Sequence, residues 1–76
     1  MNNIENLREA LQFSPENIPL RLHLANTLLL AGSLEEAEKE FKTVLGYQTV
    51  NIRAKLGLAQ TYNQKGQITT AIVILE

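Results

Sequence analysis

His23 is the only histidine in this 76-residue sequence, and Glu35, Glu36, Glu38 and Glu40 form its densest run of ionisable groups. General acid–base catalysis or metal binding would have to draw on these residues. Neither is supported by their pattern. There is no Cys, which excludes thiolate metal sites, and one His cannot build a multi-histidine site. No G-x-G-x-x-G, P-loop, H-E-x-x-H or EF-hand spacing occurs. A catalytic nucleophile needs a base beside it and a third group to orient that base, and nothing in the chain supplies the set. His23 therefore reads as an exposed helix residue and the four glutamates as a solvated helix face. No catalytic, cofactor-binding or metal-ligating residue is assigned, and the chain is expected not to be an enzyme.

The elements that carry these side chains follow from a repeat. Thirty-four residues separate Leu24-Ala25 from Leu58-Ala59, Thr27 from Thr61, Gly32 from Gly66 and Ala37 from Ala71. The same period pairs Leu7 with Phe41, Leu11 with Leu45 and Asn17 with Asn51. Self-similarity at one spacing means a single structural unit stacked on copies of itself. Such a stack presents surface and seldom encloses a catalytic pocket.

Five helical segments fit the pattern. Ile4, Leu7 and Leu11 share one face of the first. Ser14-Pro15-Glu16-Asn17 ends it, and Asn17 can cap a second helix from about Ile18 to Ala31, with Pro19 tolerated in its first turn. Gly32 can take the left-handed conformation that closes that helix. Ser33-Leu34-Glu35-Glu36 reads as a capping box opening the third. Its apolar stripe is Leu34, Ala37, Phe41, Val44 and Leu45, its outer face carries Glu35–Lys39 and Glu38–Lys42 pairs, and Gly46 is expected to stop it. The fourth runs from about Ile52 to Lys65 and ends at Gly66. The fifth starts near Gln67 and is expected to be incomplete at Glu76.

Composition narrows the class. Net charge of −1 gives no field for nucleic acid or anionic lipid, aromatic stacking residues are few, and no basic stripe runs along the chain. The opening Met1-Asn2-Asn3-Ile4-Glu5 does not read as a signal peptide. The longest apolar runs, Leu28 to Ala31 and Ala71 to Leu75, fall far short of the roughly 20 residues of a membrane span. A cytoplasmic protein without membrane or nucleic-acid partners is expected.

Short Gly-containing turns between helices at this period resemble the tetratricopeptide repeat. The family's W-x2-L-G-x2-Y and A-x3-F pattern falls on Lys55, Leu58, Ala59, Tyr62, Ala71 and Leu75. One period earlier it falls on Arg21, Leu24, Ala25, Leu28, Ala37 and Phe41, and a still earlier copy leaves Leu7, Ala10 and Pro15. Arg21 and Lys55 stand where the family often has Trp, and Thr49 replaces the closing Pro. The resemblance implies an all-α solenoid of antiparallel helix hairpins, a right-handed superhelix of five helices. It forms one domain over residues 1–76: a leading helix-B remnant (1–17), a full repeat (18–51) and a truncated repeat (52–76). Ala25, Ala59, Ala37 and Ala71 are the small residues that close helix approach requires.

The resemblance further implies a non-catalytic protein-interaction module whose A helices line a concave groove. Leu22, His23, Asn26, Leu29 and Leu30 are expected to face that groove in one repeat. Arg53, Leu56, Gly57, Gln60, Asn63 and Gln64 face it in the next. The assigned peptide contacts are Asn26, Arg53, Gln60 and Gln64 as polar groups and Leu22 and Leu56 as apolar ones. Leu22 and Gly57 depart from the basic and Asn residues of the family's acidic-tail clamp. Residues 52–76 nonetheless carry three basic residues against one Glu, while residues 1–51 carry four against seven, which favours an acidic segment on the second repeat.

The last helix breaks the repeat's chemistry. Glu38, Lys39 and Glu40 become Ile72, Val73 and Ile74 one period later. With Ile68, Ala71 and Leu75 read as core-facing, this helix is apolar all round, and such a helix is normally covered on every side. Ile72, Val73 and Ile74 are therefore assigned to an interface. Its cover is either a continuation of a longer array or a second copy in a homodimer. Two alternatives to groove binding follow: an assembly module acting through the C-terminal helix, or the N-terminal regulatory arm of a larger enzyme.

Overall fold

The computed structural model describes residues 3–75 as five α-helices: α1 (Asn3–Phe13), α2 (Ile18–Leu30), α3 (Leu34–Tyr47), α4 (Ile52–Gln64) and α5 (Ile68–Leu75). No strand occurs among the described residues. Each helix packs on the next, and α4 also lies along α2. The Cα extents are 35 × 25 × 13 Å. Packed helix axes lie about 8–10 Å apart, so the short dimension holds two layers of helices. One layer is α2 and α4; the other is α1, α3 and α5.

Local signals set most boundaries. The Asn17 and Asn51 carboxamides accept the Leu20 and Ala54 N–H groups at 3.1 and 2.9 Å, capping α2 and α4. Gly32 and Gly66 have φ of +81° and +82°. Ser33 and Gln67 then return their N–H groups to the Leu28 and Tyr62 carbonyls at 2.9 and 2.8 Å, the paired closure that a left-handed glycine permits.

Two boundary expectations are corrected. Gly46 does not stop α3, which continues through it to Tyr47 and ends at Gln48, where the backbone is extended. Ser33 precedes α3 but its hydroxyl caps nothing. Its ψ of 71° falls short of the extended backbone that aims a capping side chain at the first turn. Glu36, the other half of the expected box, is drawn to Arg8 on α1 instead.

The core runs along both layers through Leu7, Leu11, Leu24, Leu28, Phe41, Val44, Leu58 and Tyr62. Ala25, Ala37, Ala59 and Ala71 are all buried, as the close approach of helices requires. Thr61 is fully buried, and its hydroxyl is satisfied by the Gly57 carbonyl at 2.8 Å. The tightest approach is α3 on α4: a Cβ built on Gly57 would overlap the ring of Phe41, itself fully buried. Ile68, expected in the core, is 58% exposed, because among the described residues no helix packs on that side of α5. The side chain of Leu75, also expected in the core, lies outside the described residues, as does Glu76.

Gly57→Ala would gain about 1 kcal/mol of helix propensity but would force the buried ring off its site, at about 1–3 kcal/mol. A net loss of up to about 2 kcal/mol is expected in urea denaturation. Phe41→Leu should recover part of it. If the two changes destabilise additively, the close approach does not constrain this interface.

Candidate functional site

Asn26, Arg53, Leu56, Gly57 and Gln60 line one open concavity of about 220 Å³ between α2 and α4. Four of the six assigned peptide contacts thus meet at one place. They meet because Asn26 and Gln60 are equivalent positions on adjacent A-type helices, and the cap at Asn51 fixes the turn of α4 that carries Arg53. Asn26, Arg53 and Gln60 are exposed, and Leu56 is half exposed at 48%. Arg53 has no ion pair among the described residues. The concavity therefore offers amide donors and acceptors, one guanidinium and one aliphatic wall.

The other assignments scatter. Gln64 is exposed at the end of α4 but does not line the concavity. Leu22 is only 6% exposed and is a core residue, as is Leu29, on a helix that α1, α3 and α4 all pack against. Leu22 is thus removed from the contact set. His23 and Leu30 are exposed. Gly57 is reached from the concavity, yet its lack of a side chain serves the Phe41 ring behind it.

The solvated face expected on α3 holds for Glu35 and Glu36, whose side chains are exposed, but not for Glu38 and Glu40. Glu36 pairs with Arg8 on α1, and Glu40 pairs with Arg21 on α2 at 2.6 Å. Glu35 turns from Lys39 to Lys65, the residue that follows α4, at 2.7 Å. Glu38 keeps its expected Lys42 partner at 2.8 Å and also accepts from the Tyr62 hydroxyl at 2.6 Å and Lys65 Nζ at 2.7 Å. The Glu38 and Glu40 side chains are only 16% and 17% exposed. Helical spacing placed these residues on one face but could not show that three other helices reach it. Hydrogen bonds from Lys42, Lys65 and Tyr62 hold the Glu38 carboxyl down at about 2. Lys65 is raised from its ordinary value by Glu35 and then Glu38.

At the other end, Ile72 and Val73 are 54% and 62% exposed, whereas Ile74 is half-buried against the core. Leu56, Ala59, Gln60, Asn63, Ile68, Ala71 and Ile72 line a second, mainly apolar concavity of about 240 Å³ between α4 and α5, which shares Leu56 and Gln60 with the first. Sequence reasoning missed it because Ile68 was read as core. No group of three or more His, Cys, Asp or Glu residues among the described ones could hold a metal ion. No described helix is long and apolar enough to cross a membrane.

The family model for the tetratricopeptide repeat matches residues 4–55, more than half of the chain. The chain belongs to the tetratricopeptide repeat family, whose repeats form protein–protein interaction scaffolds. No curated protein matches it.

The Glu38 carboxylate lies below its ordinary value of 4.5 in the folded chain, so the unfolded chain binds the proton more tightly. Its contribution to stability is complete above pH 4.5 and lost as pH falls through that value toward about 2. Glu38→Gln should lower stability at pH 7 and flatten its acid slope in that window, read by denaturation at a series of pH values. An unchanged slope would remove Glu38 from the link between α3 and α4.

Proposed function

We propose that this chain is a non-catalytic interaction module that holds an extended peptide in the concavity between α2 and α4. The convergence of Asn26, Arg53, Leu56 and Gln60 on that one surface carries the reading. Asn26 and Gln60 both donate and accept, so each can pair with a peptide N–H or carbonyl. Arg53 selects a carboxylate on the peptide, and the basic excess of residues 52–76 extends the same preference. Leu56 packs against an aliphatic side chain. The module needs no cofactor for this.

A displayed library of random linear peptides, selected on the protein, tests the reading. The selected peptides should be enriched in Asp and Glu. Asn26→Ala with Gln60→Ala should weaken their capture about tenfold, the loss of one or two net hydrogen bonds, without lowering the melting temperature. Arg53→Glu should abolish it. Peptides that bind these variants as well as the parent would discard the groove.

A second reading is favoured by the exposure of Ile68, Ile72 and Val73 on α5, a helix with no charged residue. The α5 end then serves assembly, with a second copy or another subunit covering it. Ile72→Glu with Val73→Glu places charge on that face without touching the core. Loss of a self-associated species in sedimentation, or of partner capture, is the expected result. Unchanged mass and unchanged capture would end this reading.

A further inference from the structure

Three positions of the A-type helices are exposed in both repeats: Pro19 and Arg53, Asn26 and Gln60, and Leu30 and Gln64. α2 packs against α1, α3 and α4, whereas α4 packs against α2, α3 and α5. A position open in both settings does not owe its exposure to either set of neighbours. His23 and Leu56 fail this comparison, since their equivalents Gly57 and Leu22 are buried. The positions that pass are separated by seven and four residues, which puts them on one face of each helix. Asn26 and Gln60 line one concavity, so equivalent residues stand side by side and the face consists of three rows. The rows differ in chemistry. The first holds the Arg53 guanidinium, which has no ion pair among the described residues, and the second holds two carboxamides. The third holds Leu30, 88% exposed, beside Gln64.

We infer that the peptide held between α2 and α4 is read in a fixed register: a carboxylate on Arg53 and, four residues away, an aliphatic or aromatic side chain on Leu30. The peptide backbone between them pairs with Asn26 and Gln60. The inference rests on the groove reading above and deepens it, fixing the spacing of the ligand and moving its apolar contact from Leu56 to Leu30. Eleven residues of helix separate the first row from the third, about 16 Å. Four residues of extended chain span about 13–14 Å, and the long Arg53 side chain covers the remainder. The separation is even because side chains alternate along an extended chain, so residues four apart face the same way. The peptide runs along the seam of the two helices. A chain crossing them would meet a single row, since packed helices lie only about 8–10 Å apart. The charge order follows from the neighbours. Lys65, next to the third row in sequence, is taken up by Glu35 and Glu38, so a carboxylate gains at Arg53 alone.

The test is a displayed library of random linear peptides, selected in parallel on the parent protein and on Leu30→Gln, a change at an exposed site that makes the third row alike in both repeats. Peptides selected on the parent are expected to carry Leu, Ile, Val or Phe four residues from an Asp or Glu. Those selected on Leu30→Gln should keep the acid and lose that apolar preference. A synthetic peptide of a parent-selected sequence, with blocked ends, should bind Leu30→Gln about tenfold more weakly. Moving its apolar residue two places toward the acid should cost as much on the parent. No preferred spacing, or binding that falls with Leu56→Gln and not with Leu30→Gln, would overturn the register. The groove reading survives that result if Arg53→Glu still abolishes binding. Peptides indifferent to Arg53→Glu, or a library that yields no binders, would end both.

Discussion

Helices can stack at a fixed period only if their backbones come close enough for side chains on one to fill the space left on the next. In this chain that constraint is sharpest where the Phe41 ring lies against the backbone of Gly57. A glycine in mid-helix costs about 1 kcal/mol relative to alanine. The cost is offset here because the missing Cβ is where the ring sits, and a fully buried Phe contributes about 3–5 kcal/mol, by the usual loss on truncation. The alanines at 25, 37, 59 and 71 serve the same end less severely, all being buried. The concavity between α2 and α4 follows from this contact, since Gly57 lies between Phe41 on one side and the open surface on the other.

Apolar packing sets the distance between helices, and the carboxylates of α3 set which helix meets which. Four glutamates on one helix reach Arg8 on α1, Arg21 on α2 and Lys65 just after α4. The exposed Arg8–Glu36 pair contributes little to stability. Arg21–Glu40 is mostly buried, and at Glu38 Tyr62, Lys42 and Lys65 converge on a mostly buried carboxylate. Its weight in the fold lies in register: a slip of α4 by one turn would take away the Tyr62 and Lys65 contacts and leave that carboxylate with Lys42 of its own helix alone. α5 has lost every equivalent of these groups, and its orientation rests on Ala71 and Ile74 packing against the core.

The period was readable because it is carried by residues whose physical demand is stringent. Left-handed closure at Gly32 and Gly66, capping at Asn17 and Asn51, and buried alanines each admit few residue types. The failures came where tertiary contacts overrode a local signal. Gly46 passes through α3 because no left-handed turn is required there, and Glu36 leaves the capping box for an arginine in another helix. In the candidate site, Asn26, Arg53, Leu56 and Gln60 were legible as a set because helical spacing and the repeat suffice to align them. Leu22 was not: its burial depends on the helices packed against α2, which no periodicity within α2 reveals. Ile68 failed in the opposite sense, since an apolar residue at a core-like position stays exposed when no neighbour covers it.

These contrasts explain why one chain carries two surfaces of different chemistry. Between α2 and α4 the repeat repeats, so the equivalent polar side chains Asn26 and Gln60 line up on one open surface. Between α4 and α5 the sequence departs from the period, with Ile72 and Val73 where Glu38 and Lys39 stood. An aliphatic side chain left half in water forgoes about 1 kcal/mol, roughly half the gain of full burial. Such a surface is favoured only when something covers it. In the inner interface, one repeat earlier, α4 brings polar groups that match the carboxylates opposite them. Without those carboxylates, the α4–α5 surface has no partner for a hydroxyl and an ammonium like those that Tyr62 and Lys65 bring to the inner joint.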